Sequence, residues 1–211
     1  MGYETVNAYA GIGSRNTPDD ILLLMRKLGK ALALSGVMLR SGAAHGADSA
    51  FELGCHDAVP EGVASLDQLM AIYLPWEGFN QRSSAELGVY IGNDSQARTL
   101  ASRYHPAWRY LDHRGRLLMA RNGYQVLGDH FKYHVRFVLC WTPDGSLTGR
   151  ERTSGGTGQA LRIAKAYSVP VFNLYREEHQ AKAEQWLSAL DGCANSRSMQ
   201  PSGINIQRSA S

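Results

Sequence analysis

The sequence predicts an α/β fold: a mostly parallel β-sheet covered by helices on both faces. Short β-prone apolar runs alternate along the chain with segments in which apolar residues recur at helical spacing. Strands that alternate with helices favour βαβ units and therefore a parallel sheet. The chain has 211 residues, of which 44% are hydrophobic, and this suits one sizeable core.

Three strands and two helices are predicted in the first part of the chain. The first strand is Val6–Ala10. Pro18 begins the first helix, where its missing N–H costs nothing, and Ser35-Gly36 ends that helix. The elements that follow are a strand at Val37–Arg40, a helix after Asp48, a loop over about residues 56–70 and a strand at Met70–Leu74.

The stretch 76–133 is predicted to be an insert, with short helices near 95–104 and 114–127. Five arginines and a single acid, Asp112, lie between Arg103 and Arg121. Aromatic residues lie among them, at Tyr104, Trp108 and Tyr110. This pattern suits a surface that contacts phosphates and stacks bases, and it is equally typical of a solvated helical face.

The last part of the chain returns to the α/β pattern. Strands are predicted at Val135–Trp141 and Val169–Leu174, with a helix between them that begins after Gln159. A final amphipathic helix is predicted at about 177–190. Residues 192–211 are polar and aperiodic, which predicts a disordered tail, so residues 1–191 would form one Rossmann-like domain.

Composition excludes several classes of protein. No run of about 18 apolar residues exists, so no membrane span is expected, and the first residues lack the features of a signal peptide. The three cysteines have no C-x-x-C spacing, which favours a reducing cytoplasm over a disulfide scaffold. His130 and His134 have the spacing of two zinc ligands on a helix, but no third ligand is evident. We therefore expect a cytoplasmic protein without a metal or cofactor.

Glycines mark three junctions between a strand and the next helix. They are Gly11 with Gly13, Gly42 with Gly46, and the run Gly155–Gly158. Glycine allows positive φ and a close approach of the backbone to a ligand. The free N–H groups of a following helix attract an anion, and in a parallel sheet all three junctions lie at the carboxyl ends of strands. The pattern predicts a phosphate-binding site; tight turns alone are the simpler explanation.

Two common nucleotide motifs are absent. A dinucleotide fingerprint needs a third glycine after Gly11-Ile12-Gly13 and an acid at the end of the second strand, where this chain has Arg40-Ser41. A Walker A motif is not present either. We therefore expect neither NAD-linked redox chemistry nor P-loop ATP hydrolysis.

The motifs at the first two junctions resemble the DNA-processing protein A (Smf) family. The resemblance rests on Gly11-Ile12-Gly13-Ser14-Arg15, on the segment Ser41–Asp48, and on Ser154–Gly158 as a third phosphate turn. It covers about residues 6–55 and 135–175 and implies membership of the wider Smf/LOG (SLOG) superfamily of Rossmann-like proteins. The segments Arg121–Gly128 and Cys140–Gly145 are similar to short DprA-like proteins common in phages.

The resemblance implies an anion site in which Arg15 is a bidentate phosphate ligand and Ser41 donates its hydroxyl. Asp48 would cap its helix, or orient a ribose or Arg15. His45, Asn80 and Asn122 are candidates to contact a phosphate or base, and Trp141 is a candidate to stack a base or to lie in the core. The predicted ligand-binding residues are Gly11, Gly13, Ser14, Arg15, Ser41, Gly42, His45, Gly46, Asp48, Asn80, Arg121, Asn122, Ser154, Gly155, Gly156, Thr157 and Gly158.

Three functions remain open. The first is binding of single-stranded DNA or a nucleotide-derived ligand, and the resemblance also implies a homodimer. The second is N-glycosidic cleavage of a nucleoside phosphate, as in the LOG branch; there Leu161 stands where that family has its glutamate, so the catalytic residue is unassigned. Replacement acids would be Glu52, Glu77, Glu86 or Glu151. The third is a non-catalytic nucleotide sponge or inhibitor.

Overall fold

Six parallel strands form the central sheet, in the spatial order Val89–Ile91, Met70–Leu74, Met38–Ser41, Ala8–Gly13, Phe137–Trp141 and Val171–Asn173. The computed structural model describes residues 3–59, 65–150 and 154–198. The predicted α/β class, a parallel sheet flanked by helices, is confirmed. The strands are β2 (Ala8–Gly13), β3 (Met38–Ser41), β4 (Met70–Leu74), β5 (Val89–Ile91), β7 (Phe137–Trp141) and β8 (Val171–Asn173). Two shorter strands, β1 (Glu4–Thr5) and β6 (Tyr133–His134), pair separately.

Helices cover both faces because successive side chains of a strand point to opposite sides. The helices are α1 (Asp19–Leu34), α2 (Ala47–Ala58), α3 (Leu66–Leu69), α4 (Ser95–Tyr104), α5 (His113–Ala120), α6 (Asn122–Leu127), α7 (Thr157–Ala166) and α8 (Glu177–Ser198). Tyr9 and Leu139 pack with α1, α2 and α8 on one face. Ala10, Ile12 and Cys140 pack with α4, α6 and α7 on the other.

The first strand begins and ends later than predicted. β2 continues through Gly13, whose partner in the sheet is Trp141 of β7. A Cβ on Gly11 would lie 2.6 Å from Leu39 Cδ1, and a Cβ on Gly13 would lie 2.6 Å from Ala47 Cβ. These two glycines therefore allow α2 to pack close to the sheet, and they do not form a positive-φ turn.

The stretch predicted as an insert is part of the sheet and of one helical layer. It supplies the edge strand β5, which pairs with β4. The helix predicted near 95–104 is present as α4, and the one predicted near 114–127 is divided at Arg121 into α5 and α6. Short 3-10 helices at Phe79–Gln81, Trp108–Tyr110 and Asp129–Phe131 connect these elements.

The final helix is longer than predicted. α8 continues to Ser198, past the expected end near residue 190. Residues 199–211 of the predicted disordered tail lie outside the described residues, as does Glu151. Across the described ranges, no helix is long and apolar enough to cross a membrane.

The order of the strands reverses at the centre of the sheet. From β2 the chain builds β3, β4 and β5 outward on one side, then returns to form β7 and β8 on the other. In an open parallel sheet, a crevice forms at the carboxyl ends of the strands at this point. The ends of β2 and β7 therefore mark where a ligand site is expected.

Candidate functional site

A cavity of about 390 Å³ opens where β2 and β7 end. Four separate segments form it: the end of β2, the start of α2, the α5–α6 junction and the start of α7. Its lining residues are Ile12, Gly13, Ser14, Arg15, Ala44, Asp48, Leu118, Met119, Arg121, Asn122, Gln125, Ser154, Gly155, Gly156 and Thr157. The volume lies within the range of small-molecule sites.

Arg15 reaches this cavity from a firmly held turn. The N–H of Ser14 donates to Trp141 O at 3.1 Å, and Ser14 O accepts from the Thr17 hydroxyl at 2.8 Å and from the Ala47 N–H at 3.3 Å. The side chain of Arg15 is exposed. It forms no hydrogen bond or ion pair with any described residue. A residue that binds phosphate needs a fixed backbone and a guanidinium that no other group of the protein occupies, and Arg15 has both in the described part of the chain.

Arg121 also lines the cavity and is buried, with 7% of its surface exposed. Its guanidinium carbon lies 5.1 Å from the centre of the Phe79 ring, and Nη1 makes a long contact of 3.5 Å with Tyr73 O. Its Nε has no hydrogen-bond partner in the described part of the chain. Burial lowers the pKa of Arg121, the Asp48 carboxylate opposes that shift, and the charge of Arg15 adds to it. The two guanidinium groups are therefore close enough to interact electrostatically, and both line the cavity.

Asp48 is the acid of the cavity, and it does not cap α2. Its Oδ1 accepts from the Gly13 N–H at 3.2 Å and its Oδ2 from the Ala44 N–H at 3.4 Å, while the N-cap of α2 is Gly46. Burial raises the pKa of Asp48 from 3.8 to about 6, and Arg121 and the backbone N–H groups limit the rise. Asp48 thus connects the end of β2 to the second glycine junction.

The third junction opens toward the ligand space. Ser154 Oγ donates to Asp144 Oδ2 at 2.8 Å, and Gly155 has a φ of +57°. The amide of Asn122 donates to Gly156 O at 3.3 Å. Among the described residues, the N–H groups of Gly156 and Thr157 have no acceptor. Gly156 and Thr157 line the cavity at the start of α7, and the first turn of a helix favours an anion.

The glycines of the second junction, Gly42 and Gly46, do not line the cavity, although Ala44 between them does. The Ser41 hydroxyl is buried and donates to Gly11 O at 2.6 Å. Gly46, with a φ of +82°, leaves room for the Ser14 carbonyl, which a Cβ would approach to 2.6 Å. The Asn80 amide donates to Ala43 O at 2.7 Å, and His45 is exposed. Hydrogen bonding within the protein thus engages the donors of Ser41 and Asn80.

Ten of the predicted residues line the cavity: Gly13, Ser14, Arg15, Asp48, Arg121, Asn122, Ser154, Gly155, Gly156 and Thr157. The structure does not bring the others to it, and these are Gly11, Ser41, Gly42, His45, Gly46, Asn80 and Gly158. Trp141 packs in the core. The three described replacement acids are also elsewhere: Glu52 pairs with Arg82, Glu86 binds Arg82, and Glu77 accepts from Ser84.

Gln125 is a cavity residue that the sequence did not indicate. Its side chain is 1% exposed, and Oε1 has no hydrogen-bond partner among the residues described. It lies four positions after Arg121, so both project from the same side of α6. That spacing, once Arg121 is assigned to the site, is the signal that could have found it.

No protein-family model matches this chain, and no match was found among the curated proteins. In residues 3–59, 65–150 and 154–198, no cluster of three or more His, Cys, Asp or Glu side chains could hold a metal ion.

Proposed function

We propose that this protein binds single-stranded DNA or a nucleotide-derived ligand in the cavity, as a DprA-like member of the SLOG superfamily. One observation supports this above the others: Arg15 and Arg121 approach the same 390 Å³ cavity, into which the start of α7 also opens. Two guanidinium groups and the N-terminus of a helix form a strong site for phosphate.

The remaining walls suit a base or a sugar. Ile12, Leu118 and Met119 provide apolar surface, while Gln125 and Asn122 provide amides beside it. Ligand sites commonly combine apolar walls with a few fixed polar groups that orient the ligand. The cavity has the size for one nucleotide unit, so a strand would place a single nucleotide inside it.

A binding titration tests the proposal. A fluorescent oligothymidylate is titrated at about 50 and 200 mM salt, because affinity that depends on phosphate contacts falls steeply with salt. We expect Arg15→Ala to abolish binding without loss of stability, since its side chain has no partner to lose. Lys27→Ala is the matched control, because Lys27 is exposed on α1 and its substitution removes the same positive charge. Equal binding by both variants would refute the site.

The position of Asp48 favours a second function, N-glycosidic cleavage of a nucleoside phosphate. Asp48 is the one acid that lines the cavity among the described residues, and its pKa of about 6 suits proton transfer near neutral pH. Protonated Asp48 would give its proton to the leaving base while the arginines hold the phosphate; a water molecule would add to C1′ of the sugar, and its proton would return to the Asp48 carboxylate. The test is chromatography of nucleoside monophosphates for released base. Release by the native protein that is absent in Asp48→Asn supports the enzyme, whereas tight binding without release supports a sponge or inhibitor.

We propose a homodimer, on the basis of the family resemblance, and light scattering of the purified protein measures it directly.

A further inference from the structure

Arginine and aromatic side chains alternate on the surface beside the cavity. We call this surface the arginine–aromatic face and define it by Trp76, Trp108, Arg109, Tyr110, Arg114 and Arg116. The guanidinium carbon of Arg109 lies 4.7 Å from the centre of the Tyr110 ring. The corresponding distances are 5.7 Å from Arg114 to Trp76 and 5.6 Å from Arg116 to Trp108. At these distances each guanidinium is attracted to its ring, so cations and rings lie side by side on this face.

The acids of the described residues do not neutralise the charge of this face. Residues 95–121 contain six arginines and one acid, Asp112. Oδ1 of Asp112 accepts from the Gly115 N–H at 2.7 Å and so caps α5. Arg109, Arg114 and Arg116 form no ion pair with any acid that the structure describes. The face therefore carries a concentrated positive charge that can bind a polyanion.

One helix joins this face to the cavity. α5 carries Arg114 and Arg116 near its start, and Leu118 and Met119 near its end line the cavity. Arg114 precedes Leu118 by four positions, so the two lie on the same side of the helix. α5 is about 12 Å long, since a helix rises about 1.5 Å per residue. A ligand that extends from the cavity along α5 therefore contacts the arginine–aromatic face within the length of this helix.

We infer that the site takes a single nucleic-acid strand that extends beyond the cavity, with one nucleotide inside and its neighbours along the arginine–aromatic face. This inference rests on the proposed function and specifies the ligand of the cavity as a single nucleic-acid strand. The arginines bind phosphates, and the aromatic rings stack bases, of which Tyr110 is the most accessible at 76% exposure. Neighbouring cations and rings can contact both the phosphates and the bases of a single strand. In a duplex the bases are already stacked and unavailable to these rings.

Binding as a function of strand length tests the inference. The probes are fluorescent oligothymidylates of two, four, eight and twelve nucleotides. We expect the affinity of the native protein to rise with length, and the triple variant Arg109→Ala/Arg114→Ala/Arg116→Ala to bind the dinucleotide normally but the longest strand about tenfold or more weakly. Lys27→Ala/Lys132→Ala/Lys165→Ala removes the same charge from exposed positions and serves as the control.

A second variant tests stacking without a change of charge. Tyr110 is largely exposed, so Tyr110→Ala should fold normally, as circular dichroism would confirm. We expect it to weaken binding of the twelve-nucleotide strand and to leave the dinucleotide unaffected.

The outcomes separate the two proposals. If Arg15→Ala abolishes dinucleotide binding but the triple variant binds the long strand as well as its control does, the cavity is correct and the extended strand is wrong. If Arg15→Ala has no effect on any length, the proposed function fails. If the native protein binds no oligothymidylate, both fail.

Discussion

Oδ1 of Asp48 accepts a hydrogen bond of 3.2 Å from the N–H of Gly13, which places a buried carboxylate beside the turn that carries Arg15. The acid thus contributes to the fold and to the electrostatics of the cavity. Its ionisation should affect both, and the two effects can be measured separately.

The first prediction concerns stability. Burial raises the pKa of Asp48 from 3.8 to about 6, so the folded protein holds a proton that the unfolded chain releases between these values. The free energy of unfolding should therefore fall as pH rises through about 4 to 6, by about 3 kcal/mol from this group. Asp48→Asn should remove that fall. Urea unfolding of the native protein and of Asp48→Asn at pH 4, 5, 6 and 7 measures this difference. If the free energy of unfolding depends on pH in the same way in both proteins, the raised pKa of Asp48 is contradicted.

The second prediction concerns ligand binding. Asp48 is negatively charged above pH 6 and then repels a bound phosphate; below pH 6 it is neutral. Affinity for an oligothymidylate without a terminal phosphate, which does not itself titrate in this interval, should rise as pH falls from 7 to 5. Asp48→Asn should bind with the same affinity across that interval. Fluorescence anisotropy at fixed ionic strength gives the comparison; a native affinity that does not change with pH would exclude this role.

The third prediction contrasts two glycines. A Cβ on Gly42 would overlap the Gln125 amide and the Arg121 guanidinium. We expect Gly42→Ala to cost about 1–3 kcal/mol and to weaken binding by displacing both side chains.

Gly156→Ala is the matched control. Gly156 has φ −63° and ψ −32°, and its nearest neighbour would be Met119 Cε at an ordinary 3.5 Å. Stability should stay the same or rise by about 0.5 kcal/mol. Thermal unfolding of the two variants tests the contrast, and it is refuted if both lose stability equally.

The fourth prediction concerns Asn173, which holds the loop before the third junction. Its fully buried amide donates to Thr142 Oγ1 at 2.7 Å and to Ser146 O at 2.8 Å, and its Oδ1 accepts from the Thr142 N–H at 3.2 Å. Thr142 Oγ1 in turn donates to Asp144, the partner of Ser154. Asn173→Ala should cost about 3 kcal/mol because it leaves buried polar groups without partners.

Ligand binding gives a second measurement for Asn173→Ala, because the loop positions Ser154 at the cavity. Affinity should fall at a temperature where the variant is still folded. Asn16→Ala is the control, since Asn16 is exposed and its side chain bonds to no described residue. A variant of Asn173 as stable as that control would show that the hydrogen-bond network contributes little.

Much of the fold was predictable because it depends on local patterns. Alternating apolar runs and helical spacing located five of the six strands of the main sheet and the main helices, since both periods are set by which face is buried. The edge strand β5 was missed because two of its three residues, Tyr90 and Ile91, are exposed, whereas β8, which is equally short, has no exposed residue. A short half-exposed strand carries almost no periodic signal.

The site was predictable only where backbone chemistry dictates the sequence. Glycines mark the first and third junctions, and Arg15 follows the first directly. The second junction carries a similar signal, yet its glycines serve packing: Gly42 lies against Arg121 and Gln125. Which of these roles a glycine fills depends on residues about 80 positions away, and local sequence does not contain that information. The burial of Arg121 could not be predicted either, because it too depends on residues far from it in the sequence.

The central position of β2 has a consequence for how the chain is made. One edge of β2 pairs with β3 soon afterwards, but the other pairs with β7, where Tyr9 meets Phe137. During synthesis roughly 130 residues separate those partners, and at about 5–20 residues per second the free edge waits on the order of 10 s. A growing chain therefore exposes an unpaired, apolar strand edge on the ribosome, which is where a chaperone would be needed to prevent aggregation.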